Sequence, residues 1–263
     1  SDEAVEWSNP SCPHRVTPET ILAERNGAVS DEAWAGFCRE RLSIWPDDAL
    51  SAGWAVVSAE AWAGCASQET EVKSARPGWL KGKVAIAVEM PPDRSSVSIG
   101  AAGVCREGGI GLEVVAHGSP PNVREWVAAQ LLALTTDPDR PVSRVAVDPK
   151  SPAGSLLDPI PKDAPAGEPR FIGGVEVILC TTDDIVKATG DLHDAILSGE
   201  VVHRDRPELN AAVASASKRT VGDAWLLDRR SATDVSPFGA VNLARWAHLL
   251  PASESVALAA VYA

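Results

Sequence analysis

The sequence predicts an α/β protein built on a mixed sheet, three antiparallel strands and then parallel ones, flanked by helices and preceded by a helical segment. Three observations predict it. Residues 1 to 78 carry helix caps and apolar residues spaced by three and four, with no alternating strand pattern. From residue 79 short apolar runs alternate with helical stretches. The first three runs are joined by short turn-rich links, PPDRS and CREGG, which suit hairpins, whereas the later runs are separated by helices, which suit parallel crossovers.

Each element has a local reason. Thr17 can cap a helix with Pro18 at its first position, and Ser30 can cap the next, DEAWAGFCRERLSIW, which stops before Pro46. In that second helix Trp34, Phe37, Cys38, Leu42 and Trp45 form one apolar stripe. Strands are expected near 83–89, 95–103, 110–117, 143–148 and 175–180, and helices near 122–134, 182–198, 207–217 and 236–249. Residues 158–174, rich in Pro, Gly and Asp, read as a surface loop or flap. Three antiparallel strands, then helix, strand, helix, strand, helix is the ribonuclease H-like order. The expected division is a helical segment at 1–78 and a sheet domain at 79–263.

Bulk properties narrow the function. The 263 residues, 45% hydrophobic, suffice for a sizeable core. No run of eighteen apolar residues occurs, and the opening SDEAVEWSNP has neither a basic nor an apolar leader region, so the expected compartment is the cytoplasm, with no membrane partner. Cys12, Cys38, Cys65, Cys105 and Cys180 are odd in number and never spaced C-x-x-C, which reads as buried thiols. The net charge of −12 argues against a protein that coats nucleic acid, but not against one that grips it locally. Arg204, Arg206, Lys218, Arg219, Arg229 and Arg230 lie between residues 201 and 230, and could be a phosphate-facing patch or a solvated loop. Most of the nine Trp fall on apolar helical faces and read as core; Trp225, between two basic pairs, is the candidate for a stacking contact.

Three carboxylates sit where an apolar element meets a turn or a helix. Glu89 ends VAIAVE, Asp148 ends RVAVD before Pro149, and Asp234 opens DVSPFGAVNLARWA. Asp234 could be only a helix cap, and Asp148 only a turn initiator. Glu89 is harder to explain that way, because a carboxylate at the end of a buried run needs a partner. A divalent cation such as Mg²⁺ or Mn²⁺ is one, and two such ions about 3.5–4 Å apart suit phosphodiester hydrolysis. Asp93, a turn residue, and Asp228, which could instead pair with Arg229 or Arg230, are further candidates for the metal, with Asp223 ranked below Asp234 alongside Asp228. Lys150, His203, Lys218, Arg219 and Arg229 are candidates for contact with a nucleic-acid strand. His203 could equally be a structural residue closing a short strand.

Several segments together resemble a known family. WSNPSCPHRVTPETILAERNGAVSDEAWAGFCRERLSIW, VAIAVEMPPDRSSVSIGAAG, VAVDPKSPAGSLL, HRDRPELNAAVASASKRTVGDAWLLDRR and ATDVSPFGAVNLARWAHL, in this order, resemble the C-terminal part of the large terminase subunit of tailed phages, especially those infecting actinobacteria. The resemblance implies a ribonuclease H-like endonuclease that cuts concatemeric viral double-stranded DNA during packaging in the host cytoplasm, using two Mg²⁺ or Mn²⁺ ions. It implies as partners the portal, the small terminase subunit and an ATPase motor. No G-x-x-x-x-G-K-[ST] loop is present, so the sequence lacks the motor proper, and residues 1–78 resemble the end of the ATPase region and its linker.

By the same resemblance the catalytic, metal-holding acids fall on Glu89, Asp148 and Asp234. The first is normally aspartate in that family, and glutamate shifts the carboxylate by roughly one bond, a displacement of ~1 Å that can cost a hundredfold in rate. Two other readings therefore stand beside the endonuclease: a weakened nuclease-fold module that docks DNA or portal, and a junction resolvase of the same fold.

Overall fold

In the computed structural model, which describes residues 15–42, 53–67, 79–106, 108–156, 170–230 and 233–251, the chain forms two compact units, Ser1–Gly53 and Trp54–Ala263. In the first, α1 (Pro18–Gly27) starts at an extended Thr17 whose hydroxyl accepts from the Thr20 amide, and α2 (Asp31–Leu42) starts at Ser30, whose hydroxyl accepts from the Ala33 amide. Both caps are those expected. Ile21 of α1 is buried with Phe37 and Cys38 of α2, and the Arg41 guanidinium grips both oxygens of Glu24 at 2.6 and 2.8 Å. Trp34 of the stripe is exposed and stacks on Phe37, while Trp45 lies outside the described residues.

The second unit starts earlier than the change of sequence texture at residue 79. Helix α3 (Ala59–Gly64) and its flanks contribute Val56, Val57, Trp62 and Cys65 to the main core, and Ala66 bridges to His203. A Trp-bearing helix reads the same wherever it packs, so the sequence gives no local mark of this allegiance.

From Leu80 the five expected strands and the four expected helices are observed, together with four further short strands. The strands β1 (Leu80–Glu89), β2 (Val97–Cys105) and β3 (Ile110–Gly118) form an antiparallel meander. Helix α4 (Val123–Thr136) crosses to β4 (Val142–Val147), which a short 3-10 turn follows at Pro152–Leu156. Next come β5 (Arg170–Ile172), β6 (Val175–Leu179), α5 (Thr182–Leu197), β7 (Val201–His203), α6 (Pro207–Ser215), the hairpin β8 (Lys218–Val221) and β9 (Ala224–Leu227), and α7 (Ser236–Leu249). The seven-stranded sheet runs β5-β6-β4-β1-β2-β3-β7; β4 and β6 continue β1 in parallel, β7 pairs β3 in parallel, and β5 pairs β6 antiparallel. This is a ribonuclease H-like sheet with extra edge strands. The strands β5 and β7 are three residues long, and β8 and β9 four each, the first exposed and basic and the second apolar, so none of them carries a strand's alternating pattern. Strand β5 falls inside the stretch expected to be loop; residues 157–169 lie outside the described residues.

Strand periodicity explains the greasy run. Successive side chains point to opposite faces, so Val84, Ile86 and Val88 meet α4, while Ala85 and Ala87 lie in the core beneath α7. That second face is made of small residues, Ala85, Ala87, Gly100, Ala102 and Ala146. They let α7 lie close: a Cβ on Gly100 would sit 2.5 Å from the Ala240 carbonyl carbon and the Val241 nitrogen. The far end of α7 is fixed by buried Arg144 of β4, whose guanidinium donates to the carbonyls of Ala247, Leu250 and Pro251, groups a helix end otherwise leaves unpaired.

Gly100→Ala should therefore lower stability by about 1–3 kcal/mol through overpacking, read as a lower urea midpoint. Gly118→Ala, where a Cβ meets nothing, should change it by less than about 0.5 kcal/mol. Equal effects at both positions would contradict the close approach.

Candidate active site

Glu89 has the same parity as Ala85 and Ala87, and Asp148 the same parity as Arg144 and Ala146. Because Val88 pairs Val147 in register, the next residue on each strand delivers its carboxylate to the same place, under the first turns of α7. Both are buried, at 2% and 3% exposure. The location is the C-terminal edge of adjacent parallel strands, where α/β sheets place their sites. Tight local structure holds Asp148: one carboxylate oxygen accepts from the Lys150 amide at 2.8 Å, and its carbonyl accepts from the Ser151 amide and hydroxyl.

One guanidinium joins the pair. Arg229 reaches Glu89 with Nε at 3.0 Å and Nη2 at 3.1 Å, and Asp148 with Nη1 at 2.7 Å. Burial still dominates for Glu89 and pushes its carboxyl up to about 7; the Arg229 charge opposes the shift and the Asp148 charge adds to it. Burial first, then the charges of Asp184, Asp148 and Glu89, push the buried Cys180 thiol up to about 12.

The third expected acid sits in a different network. Asp234 accepts from the Ser96 hydroxyl through one oxygen and from the Ser236 amide at 2.8 Å through the other, so it does serve the start of α7. The Ser98 hydroxyl links the Ser236 hydroxyl at 2.7 Å to His117 Nδ1 at 3.0 Å, and that nitrogen lies 3.9 Å from Asp234. Among the described residues no three His, Cys, Asp or Glu side chains are gathered so that they could hold one ion. The structure brings Glu89 and Asp148 together and ties Asp234 to the β2–β3 end of the same helix.

The remaining candidates divide. His203 does not face a nucleic acid: it is fully buried, its ring stacks on Trp62 at 3.9 Å, Nε2 contacts the Trp62 carbonyl at 2.9 Å, and Nδ1 accepts from the Asp205 amide. Arg204, from the basic segment, is buried on Glu113 at 2.7 Å and over the Trp79 ring, so the segment is not one patch. Arg229 is committed to the carboxylates. Asp93 is an exposed turn residue accepting from the Ser95 amide, and Asp228 accepts from the Arg230 amide; neither joins the pair. Lys150 and Arg219 remain at the rim of the cavity that contains Glu89 and Asp148, whereas Lys218 lies over the Trp225 ring at 4.6 Å. That ring is also edge-on to His193, which makes Trp225 a brace between hairpin and helix α5. The sequence reading missed Arg94, which borders an open cleft with Lys150 and Arg229 and donates to the Ser155 hydroxyl at 3.2 Å. Its only sequence signal was its place in a turn beside the strand that ends at Glu89.

No family model matches the sequence, and no curated protein does. Among solved structures, the chain is similar to the crystal structure of the HK97 bacteriophage large terminase, with 15% identity and a TM-score of 0.53, over 94% of this chain and 54% of that one. The chain has a large-terminase fold. It spans about half the length of that protein, and at this identity the likeness concerns fold alone. Weaker likenesses are to the large terminase nuclease of thermophilic phage G20c with bound magnesium (10% identity, TM-score 0.44, 71% of this chain and 96% of that one) and to the manganese-soaked human cytomegalovirus terminase nuclease domain (13%, 0.44, 73% and 97%).

The Glu89 environment has a pH signature. A carboxyl near 7 in the fold and 4.5 when unfolded binds more protons folded, so its ionisation destabilises the protein as pH rises from 4.5 to 7. Glu89→Gln, in metal-free buffer, should gain on the parent across that window, levelling above pH 7 at about 3 kcal/mol or less. A gap that stays constant from pH 4.5 to 8 in urea titrations would show that Glu89 is not so perturbed.

Proposed function

We propose that the second unit is a metal-dependent endonuclease that cuts double-stranded DNA during viral genome packaging. The observation that supports this most is the pair of buried carboxylates at the adjoining ends of β1 and β4, sharing one cation on a large-terminase fold. Two acids are not buried side by side for stability, since each charge costs solvation.

The donor set fits Mg²⁺ or Mn²⁺. Glu89 and Asp148 offer hard oxygens that already converge on one positive group, and Mg²⁺ is commonly bound by one or two carboxylates with water and phosphate completing its shell. These two residues would hold it, with Asp234 as the candidate for a second position at the start of α7. When bound, divalent ions activate a water and stabilise the leaving oxygen of a phosphodiester. The chain's own groups do the rest. Arg229 partly offsets the charge of the pair and would release at least one carboxylate, while Lys150, Arg219 and Arg94 line the approach, where they would hold phosphates. The Ser98–His117–Ser236 links hold Asp234 and the helix start in place. Residues 15–42 carry none of these groups; we assign them, with the rest of the first unit, to the end of an ATPase region. The portal, the small subunit and a motor are the corresponding partners.

A second reading, a module that docks DNA or portal without efficient cutting, is favoured by Arg229, which occupies both carboxylates, and by glutamate at position 89. Supercoiled plasmid in Mn²⁺ or Mg²⁺ separates the two. Nicking should occur and should fall by about a hundredfold or more in Asp148→Ala. Absence of nicking, or nicking unchanged in that variant, excludes the endonuclease. Glu89→Asp distinguishes further: increased cleavage marks an enzyme restrained at this position, and an inert variant of an inert parent marks a docking module.

A further inference from the structure

Arg229 borders two spaces at once. One is the cavity that contains Glu89 and Asp148; the other is an open cleft between the two turns that follow these acids, residues 91–96 after β1 and 149–156 after β4. The cleft carries Arg94, Lys150 and Arg229 and, among the described residues, no Asp or Glu, in a chain whose net charge is −12. Arg94 is set there by its backbone as well as its guanidinium. Its φ of 58° lies in the left-handed region that a long side chain disfavours, its amide closes the turn on the Pro91 carbonyl at 3.0 Å, and its Nη2 donates to the Ser155 hydroxyl of the opposite turn at 3.2 Å. Lys150 is exposed at the rim, its Nζ 2.9 Å from the Thr182 hydroxyl. A cleft of this charge in so acidic a protein fits an anion. Arg229 meanwhile engages both oxygens of Glu89 and one of Asp148, so the oxygens a divalent ion needs are those the guanidinium holds.

We propose that Arg229 couples the two spaces: a backbone phosphate in the cleft draws the guanidinium off the carboxylates, and a divalent cation takes its place. The inference rests on the endonuclease reading for its choice of a phosphodiester as the anion. Without an anion, a divalent cation must displace Arg229 into water at the cost of three charge-assisted hydrogen bonds, and then repels the guanidinium it has displaced. A phosphate beside Arg94 and Lys150 gives Arg229 a new acceptor that matches its fork of donors, so both costs fall. Because coupling between two sites is reciprocal, the bound cation strengthens phosphate binding by the same factor. The consequence is a site kept closed to metal by its own arginine until a nucleic-acid strand lies against it. Release in another direction has a different consequence. A third cavity bordered by Arg229 holds Asp93 and Asp234 beside Arg230, and a guanidinium that moved there would make metal binding indifferent to phosphate.

The test measures Mn²⁺ binding to the whole chain from the electron paramagnetic resonance of the free ion. Dimethyl phosphate, a phosphodiester without base or sugar, is compared with sodium chloride at equal ionic strength, so that screening is the same in both. Dimethyl phosphate should raise the Mn²⁺ affinity about 5–150-fold, the usual range of coupling between two sites. Arg229→Gln should bind Mn²⁺ about tenfold more tightly than the parent in chloride and gain nothing from the phosphodiester. Arg94→Gln combined with Lys150→Gln removes cleft charge while leaving the carboxylates and Arg229 in place, and should abolish the phosphodiester effect even if Arg229→Gln folds poorly. Equal affinity in the two salts, an effect that survives the double variant, a folded Arg229→Gln that binds no more tightly, or no Mn²⁺ binding in any form would overturn the coupling, while plasmid nicking decides the endonuclease separately. Phosphodiester-enhanced Mn²⁺ binding by a protein that never nicks plasmid would support the coupling and overturn the endonuclease instead.

Discussion

The close contact of α7 with a face of alanine and glycine is the constraint on which the rest of the structure depends. Helices that pack on sheets through large side chains stand well clear of the backbone. Here Ala85, Ala87, Gly100, Ala102 and Ala146 remove that spacing, and Arg144 satisfies the carbonyls at the helix's far end. The same strand parity that supplies the small residues places Glu89 and Asp148 at the open end of this face. Packing and site thus follow from one periodicity, and a change in either strand's register would turn the acids into the opposite core.

Electrostatics opposes what packing arranges. Glu89 and Asp148 are like charges out of water, and Arg229 offsets that cost without removing it, since Glu89 remains pushed up to about 7. A pair held this way is fixed in position, with one positive charge shared between two carboxylates. The hairpin that precedes Arg229 also supplies Leu226 and Leu227 to the wall of the cavity that the two carboxylates line.

How much of this was legible follows from how far apart the interacting residues lie. The five longer strands of the sheet, its four helices, both caps of the first unit and the positions of Glu89 and Asp148 depend on local periodicity and turn chemistry, and all are where the sequence places them; the four short strands are not. His203 was half legible: the reading of a structural residue that closes a short strand holds, but its partner Trp62 is 141 residues away. Arg204 and Arg229 looked like phosphate ligands for the same reason: a cation's sequence neighbours do not reveal that Glu113 or Glu89 will claim it. Asp234 was half legible. Its role at the start of α7 is local, but its tie to Ser96 of the β1–β2 connection is not.

The glutamate at position 89 has a structural counterpart. A Cβ on Gly239 would come within 3.0 Å of Glu89 Cγ and 3.7 Å of its carboxyl carbon. Glycine on the facing turn of α7 therefore leaves room for the Glu89 side chain. The longer side chain is accommodated by the helix it meets, not forced against it. It also carries the carboxylate far enough to meet two nitrogens of Arg229 while a third reaches Asp148. Glu89, Gly239 and Arg229 are thus one adjustment: length at the strand end, space on the helix, and a planar cation broad enough to span both acids.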